Sequence, residues 1–279
     1  MKVLFGSVIY KEAYMFLDDF LESLVNQTYS DFEILLINDN IPSEELHRKL
    51  TEKRYGKRTI TCIDSQNQYT PCRLRVELLL EAKKQNCDLL ILGDCDDKFS
   101  NNRVESIVKA YDENYDFYYN PLCLWNGEHA MLQLPSETTD IRDIGERNYL
   151  GLSNTALDMN CLEDGFLEEL CKFNTNIFDW YFYSRLLLIG KKGLCVKEAS
   201  TFYRMHENNV AGLPTDTYEN RRKELQIKIR HYEMLEVYNS YYKELKEQYR
   251  KLNYKESISH IQDKHYWWDL LKVGGNENV

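Results

Sequence analysis

The chain has 279 residues, 43% hydrophobic and 29% charged, enough for one soluble α/β domain of about 200 residues and an appendage. A formal net charge of −10 speaks against wholesale wrapping of nucleic acid and leaves room only for a local basic patch. The eight cysteines form no C-x-x-C pair and no short Cys/His spacing, which argues against structural zinc and a disulfide framework and for reduced, buried thiols.

The stretch from Met1 to Lys11 holds an apolar run too short for a membrane span and no small-residue cleavage pattern, so it reads as a first strand, Val3 to Ile9. Phe16, Leu17, Phe20, Leu21, Leu24 and Val25 recur at helical spacing within Ala13 to Asn26. Phe32 to Ile37 is a second buried strand ending at Asn38-Asp39-Asn40; a weaker helix follows over Ser43 to Thr51, then a short strand over Thr59 to Ile63. Thr70-Pro71 reads as an N-cap with proline at the first helical position, opening a helix to about Gln85.

Leu89 to Leu92 is a buried strand, and Asp94, Cys95, Asp96 and Asp97 follow it directly. In open α/β sheets ligands collect beyond the carboxyl ends of the strands. Three carboxylates there repel one another unless a cation joins them, and Mg²⁺ or Mn²⁺ carrying a phosphorylated ligand is the usual partner. A solvated acidic turn is the plain alternative. Asn102 and Glu105 have capping-box spacing and open a helix to Tyr111. Tyr115 to Tyr119 is a further strand, and Asp164 to Cys171 and Ile177 to Ile189 are helices. From Thr217 to the end the pattern is all helical, with Leu225, Ile229, Tyr232, Leu235, Tyr238 and Tyr242 on one face. No other stretch approaches about 18 apolar residues, so a soluble, cytoplasmic protein is expected. The alternation implies a largely parallel sheet with helices on both faces.

Six segments in this order resemble the family-2 glycosyltransferases of GT-A fold. They are Leu21-Glu22-Ser23-Leu24-Val25-Asn26-Gln27-Thr28-Tyr29-Ser30-Asp31-Phe32-Glu33, Asn38-Asp39, the acidic block 94–97, Gly151-Leu152-Ser153-Asn154, Phe178-Asp179-Trp180 with Arg185, and Tyr203-Arg204-Met205-His206. The resemblance covers roughly residues 1–210. It implies a GT-A Rossmann-like domain over 1–212, with a nucleotide-binding half (1–120) and an acceptor-side half (121–212), and a helical region over 213–279. The activity implied is metal-dependent inverting transfer of a sugar from a nucleotide-sugar donor, UDP-linked, to a hydroxyl of a glycan or lipid-linked acceptor in bacterial surface-polysaccharide synthesis.

By resemblance, Asp96 ligates Mn²⁺ or Mg²⁺, and Asp94 shares the ion or leans to the ribose. Asp97 binds metal or sugar or caps the turn. His206 adds a metal or phosphate contact, or is a plain surface histidine; Arg204 meets phosphate or makes a structural ion pair. Asp179 aligns with the catalytic base, its alternative being a helix N-cap, and Trp180 is a sugar platform or core. Asp39 accepts from a base N–H, Tyr10 stacks on the base with Glu12 beside it, and Arg75, with Arg73 as a weaker candidate, contacts base or phosphate. The sequence departs from the family in lacking the proline before Tyr10, in Lys11, in Asn38 for the first aspartate of its pair, and in Phe178 for the glutamate before the base.

The C-terminal tyrosines, Tyr238, Tyr241, Tyr242, Tyr249 and Tyr254, interleave with Lys243, Lys246, Arg250, Lys251 and Lys255. They suit a helical cap, a homodimer face, or peripheral contact with the inner face of a membrane holding the acceptor. Three other functions compete. A nucleotidyltransferase would need a glycine-rich basic loop that Gly6-Ser7 does not supply, and a haloacid-dehalogenase phosphatase would need Thr or Val where Lys98 stands. A catalytically degenerate partner subunit would have no need of Asp94, Asp96 and Asp179 together.

Overall fold

Strands buried on both faces form the first half of the sheet. The computed structural model describes residues 1–52, 55, 58–65, 68–127, the backbone of 129–131, 134–205, 216–253 and 266–273. β1 (Val3–Tyr10), β2 (Glu33–Asp39), β3 (Ile60–Asp64) and β4 (Leu89–Leu92) are parallel neighbours in the order β3-β2-β1-β4. Successive residues of β1 feed opposite faces: Val3 and Phe5 join one core and Leu4 the other. α1 (Leu17–Val25) covers the first face through Leu17, Phe20, Leu21 and Leu24. It is preceded by a 3₁₀ turn over Lys11–Phe16, where the sequence suggested a single helix. α2 (Ser43–Leu50) lies on the same face through Leu46. α3 (Pro71–Lys84) covers the second face through Leu74, Leu78, Leu79 and Ala82, and the Thr70 hydroxyl caps it, accepting from the Arg73 N–H at 3.3 Å.

β5 (Lys98–Phe99), α4 (Arg103–Ala110), β6 (Phe117–Tyr119), β7 (Leu122–Leu124), β8 (His129–Met131) and β9 (Glu137–Thr138) come next. Asn102 does not close the expected capping box. Its backbone sits at φ −98°, ψ 4° without a side-chain cap, and its amide donates to Ser106 and to the Glu198 carbonyl. β10 (Thr155–Asp158) inserts antiparallel between β4 and β6. α5 (Asp164–Leu170) and α6 (Phe178–Leu188) precede β11 (Gly193–Cys195) and β12 (Thr201–Tyr203). The main sheet thus has eight strands, β3-β2-β1-β4-β10-β6-β11-β9, mainly parallel, beside a smaller sheet β5-β12-β7-β8.

α7 (Tyr218–Leu235) and α8 (Ser240–Lys251) pack on each other and α7 on α6. Three of their tyrosines face inward: Tyr232, Tyr242 and Tyr249 are buried, with the Tyr232 ring centroid 6.1 Å from that of Tyr242 and 5.5 Å from that of Tyr249. Lys246 pairs with Glu236 and Arg250 with Glu233. That arrangement is a helical cap on the core; Tyr254 and Lys255 lie outside the described residues. Helix does not run to the end of the chain as its pattern suggested, since residues 266–273 form a non-helical strap. No helix among the described residues is long and apolar enough to cross a membrane.

Candidate active site

Strand order reverses between β1 and β4, and such switch points open a crevice at the carboxyl ends of the strands. A cavity of ≈330 Å³ lies there. Tyr10, Glu12, Asp39, Arg75, Asp94, Asp96 and Asp179 all line it, brought together from five segments of the first 180 residues. His206 lies outside the described residues.

The backbone explains several placements. Tyr10 and Asp39 are register partners at the ends of β1 and β2. Asn38 is buried and structural: its amide donates to the Ile41 carbonyl (2.8 Å) and to Asp64 (2.7 Å), and its carbonyl accepts from the Ile41 N–H. The turn it ties off presents Asp39 to the cavity, where burial raises the carboxyl's pKa, the Asn40 amide opposing and Glu12 adding to the rise. Arg75, one turn into α3, faces the cavity and makes no ion pair or hydrogen bond among the described residues. Arg73 does not join it, being paired with Glu77 and lying over Tyr69.

The acidic turn is held from both sides. Buried Arg103 donates to the carbonyls of Leu92 (2.8 Å) and Thr155 (3.2 Å) and to Asn120 (2.9 Å), fastening the end of β4 to β10. Ser153, from the Gly151–Asn154 turn, accepts from the Asp94 N–H (3.2 Å) and donates to Asp97. Arg204 donates its backbone N–H to Asp97 (2.8 Å) and its Nε to the Asp96 carbonyl (2.9 Å), pairs with Asp19, and lies 3.4 Å from the Trp125 ring centroid. Asp97 is therefore a turn-forming carboxyl and Arg204 a structural one of its clamps. Burial, with Asp96 and Asp94 adding, pushes Asp97 well above the carboxylate range.

Asp96 accepts from the Tyr10 hydroxyl at 3.2 Å. Asp94 is pushed up to about 6, chiefly by burial, with Arg75 opposing and the charges of Asp96 and Asp179 adding. Hard carboxylate oxygens crowded in this way suit Mg²⁺ or Mn²⁺, which take one or two carboxylates and complete their shell with water and phosphate. Among the described residues no group of three or more His, Cys, Asp or Glu is arranged to hold a metal ion.

Asp179 is the second residue of α6, not its N-cap, which is Ile177. Its pKa is raised by burial, with Arg75 and the Trp180 N–H opposing. Trp180 is not a sugar platform. Successive helical residues diverge by about 100°, and while Asp179 meets the cavity, Trp180 is fully buried, donating Nε1–H to the Ile144 carbonyl (2.6 Å) and stacking on His231 at 4.1 Å. Arg185 turns away to Glu169 (2.8 Å) and Tyr238. Sequence reading assigned no role to Ser153, Arg103, Trp267 or Trp268. The two tryptophans line the cavity from the C-terminal strap, and the only signal for them was the aromatic run Tyr266-Trp267-Trp268.

Residues 7–123 match the family model for glycosyl transferase family 2. No curated protein sequence matches the chain. Among solved structures the fold resembles S. aureus TarS 1–349 in complex with UDP-GlcNAc, at 16% identity and TM-score 0.59, covering 85% of this chain and 71% of that one. It also resembles the mannosyltransferase PcManGT from Pyrobaculum calidifontis in complex with GDP-Man and Mn²⁺ (11%, TM-score 0.55, 84% of this chain and 63% of that one). A third likeness is GalNAc-T7 with UDP, GalNAc and Mn²⁺ (15%, TM-score 0.55, 93% and 56%). At these identities the likeness is one of fold, the α/β GT-A fold. The chain thus has the GT-A fold, and residues 7–123 of it are similar to glycosyl transferase family 2.

Proposed function

We propose that this protein is a metal-dependent, inverting glycosyltransferase that moves a sugar from a nucleotide-sugar donor, UDP-linked, to a hydroxyl of a glycan or lipid-linked acceptor. The observation that carries the reading is the meeting of Asp94, Asp96, Arg75 and Asp179 in one cavity at the β1/β4 switch point, with Asp39 at its β2 edge. The solved neighbours hold UDP-GlcNAc, and GDP-Man or UDP with Mn²⁺, which agrees with the donor and metal. A role in surface-polysaccharide synthesis rests on the sequence resemblance alone.

Asp94 and Asp96 would hold the divalent cation, which would supply Lewis-acid neutralisation of the leaving diphosphate. Arg75, whose charge acts on Asp94 and Asp179, adds a second positive charge for the phosphates. Asp39 accepts from a base N–H. Asp179 takes the proton of the acceptor hydroxyl as its oxygen bonds to the anomeric carbon. The bond from that carbon to the diphosphate oxygen breaks in the same step, its electron pair leaving with the diphosphate, and configuration inverts. A base whose pKa stands above the ordinary aspartate value suits this task at neutral pH.

The test is a thermal-shift titration with UDP, GDP, CDP and CMP, each with and without Mn²⁺, on the wild type and Asp96→Ala. One nucleotide is expected to stabilise the wild type only with Mn²⁺, by about 2.7 kcal/mol at a hundredfold excess over Kd, and Asp96→Ala to abolish the effect. No stabilisation by any nucleotide–metal pair would overturn the reading.

A further inference from the structure

One wall of the cavity comes from the C-terminal end of the described chain. Trp267 and Trp268 line it, carried by the strap 266–273. That strap is fixed with unusual care. Trp267 exchanges two backbone hydrogen bonds with Asn148, both 2.9 Å. The buried Glu224 carboxylate accepts from the N–H groups of Leu270 (3.1 Å) and Leu271 (2.9 Å). Its ion-pair partner Lys228, fully buried, donates to the Leu271 carbonyl and to the Tyr249 hydroxyl. Burying a charged pair is costly unless every lone pair and proton is used, and here the surplus bonds go to the strap.

The tryptophans themselves are held at close tolerance. Trp268 has φ +60°, a conformation that a bulky residue adopts only when its surroundings impose it. The Trp267 ring edge lies over Gly151, where a Cβ would stand 2.5 Å from its Cη2, and makes an edge-to-face contact with Tyr203 at 6.3 Å. The cavity therefore joins the charged groups of Arg75, Asp94, Asp96 and Asp179 to two rigid indoles. Charge answers a diphosphate. An indole face answers the C–H face of a pyranose ring, whose weakly positive hydrogens rest on the negative ring face.

We infer that Trp267 and Trp268 form a pyranose-binding wall that selects the sugar entering this site. The inference rests on the glycosyltransferase reading and goes beyond it in naming a sugar subsite on the C-terminal strap. The sugar ring arrives either with the donor or with the acceptor.

The test is isothermal titration of the wild type, Trp268→Gly and Trp268→Phe. Glycine removes the ring while tolerating the positive φ, and phenylalanine restores an aromatic face. The ligands are UDP, UDP-glucose and UDP-N-acetylglucosamine with Mn²⁺, and the p-nitrophenyl glycosides of glucose and N-acetylglucosamine. UDP affinity is expected to stay within about twofold in all three proteins, while at least one sugar-bearing ligand weakens about tenfold in Trp268→Gly and recovers in Trp268→Phe. Loss confined to UDP-sugars assigns the wall to the donor, and loss confined to the glycosides assigns it to the acceptor. Equal weakening of UDP and its sugar conjugates, unchanged sugar binding, or no sugar-bearing ligand bound by the wild type would each overturn the wall. A wild type that binds glycosides through Trp268 while none of UDP, GDP, CDP and CMP stabilises it with Mn²⁺ would keep the wall and sink the glycosyltransferase reading.

Discussion

His231 makes the stability of this fold sensitive to acid. It is fully buried on α7, stacked on Trp180 at 4.1 Å and set edge-on to Tyr242. Its Nδ1 has no hydrogen-bond partner among the described residues, and Nε2 meets only the Ser184 hydroxyl at 3.5 Å. Burial, with the Lys228 charge adding, pushes its pKa down to about 3 from an ordinary 6.5. The unfolded chain takes up a proton near pH 6.5 while the folded one resists until about 3. Stability is untouched above 6.5 and falls as pH drops through that window, by about 1.4 kcal/mol per pH unit and about 5 kcal/mol in all. His231→Phe keeps a stacking ring and removes the titration. Urea unfolding of both proteins at pH 7.5 and 4.5 isolates the effect, because the carboxylates that also titrate are common to both. The wild type is expected to lose about 3 kcal/mol more than the variant between these pH values. An equal loss in both, within about 0.5 kcal/mol, would refute the argument from His231.

Asp179→Asn is expected to lower transfer by about 10²- to 10⁴-fold while keeping Mn²⁺-dependent stabilisation by nucleotide; turnover near wild type would remove Asp179 as the base. Arg75→Leu removes the positive charge that opposes the rise in the Asp179 pKa. Since the base works ionised, the acid limb of kcat/KM against pH should move to higher pH, and nucleotide diphosphate affinity should fall about tenfold. An unmoved limb would separate Arg75 from the base. Gly93→Ala puts a Cβ 2.5 Å from Phe99 and 2.7 Å from Phe5. It should cost about 1–3 kcal/mol in a melting experiment and weaken Mn²⁺-dependent nucleotide binding, because the acidic turn begins at the next residue; a melting point equal to wild type would show that the two rings give way freely.

Much of the first half of the fold could be read from local pattern. Strands buried on both faces appear as unbroken apolar runs, and Thr70-Pro71 announces α3 by the chemistry of one hydroxyl and one missing N–H. The candidate site was legible where a residue ends a strand: Tyr10, Asp39 and Asp94 are placed by the switch-point geometry once the strands are known. Tertiary arrangement hid the rest. The Asn102 spacing fits a capping box, but its amide is drawn to Glu198, 96 residues away. Trp180 sits beside Asp179 in sequence and points to another face in space. β10 entering antiparallel, and the small second sheet, depend on pairings that no local period encodes.

The buried tyrosines bear on why the C-terminal helices exist. A tyrosine-rich, lysine-rich amphipathic helix reads as a surface element, yet Tyr232 donates to the Gly145 carbonyl (3.0 Å) and Tyr249 to Glu146 (2.7 Å), next to the turn that leads to Asn148 and Gly151. Glu146 also accepts from the Val273 N–H (2.9 Å). One side of that turn thus carries Ser153, which braces Asp94 and Asp97, and the other carries the strap with its two tryptophans. α7 also packs His231 on Trp180, one residue from Asp179. The tyrosine hydroxyls serve as long, rigid hydrogen-bond arms reaching from the helical cap to the segments that shape the cavity. The cap is therefore part of the cavity's framework: it ties the segment 145–151, α6 and the strap to one another.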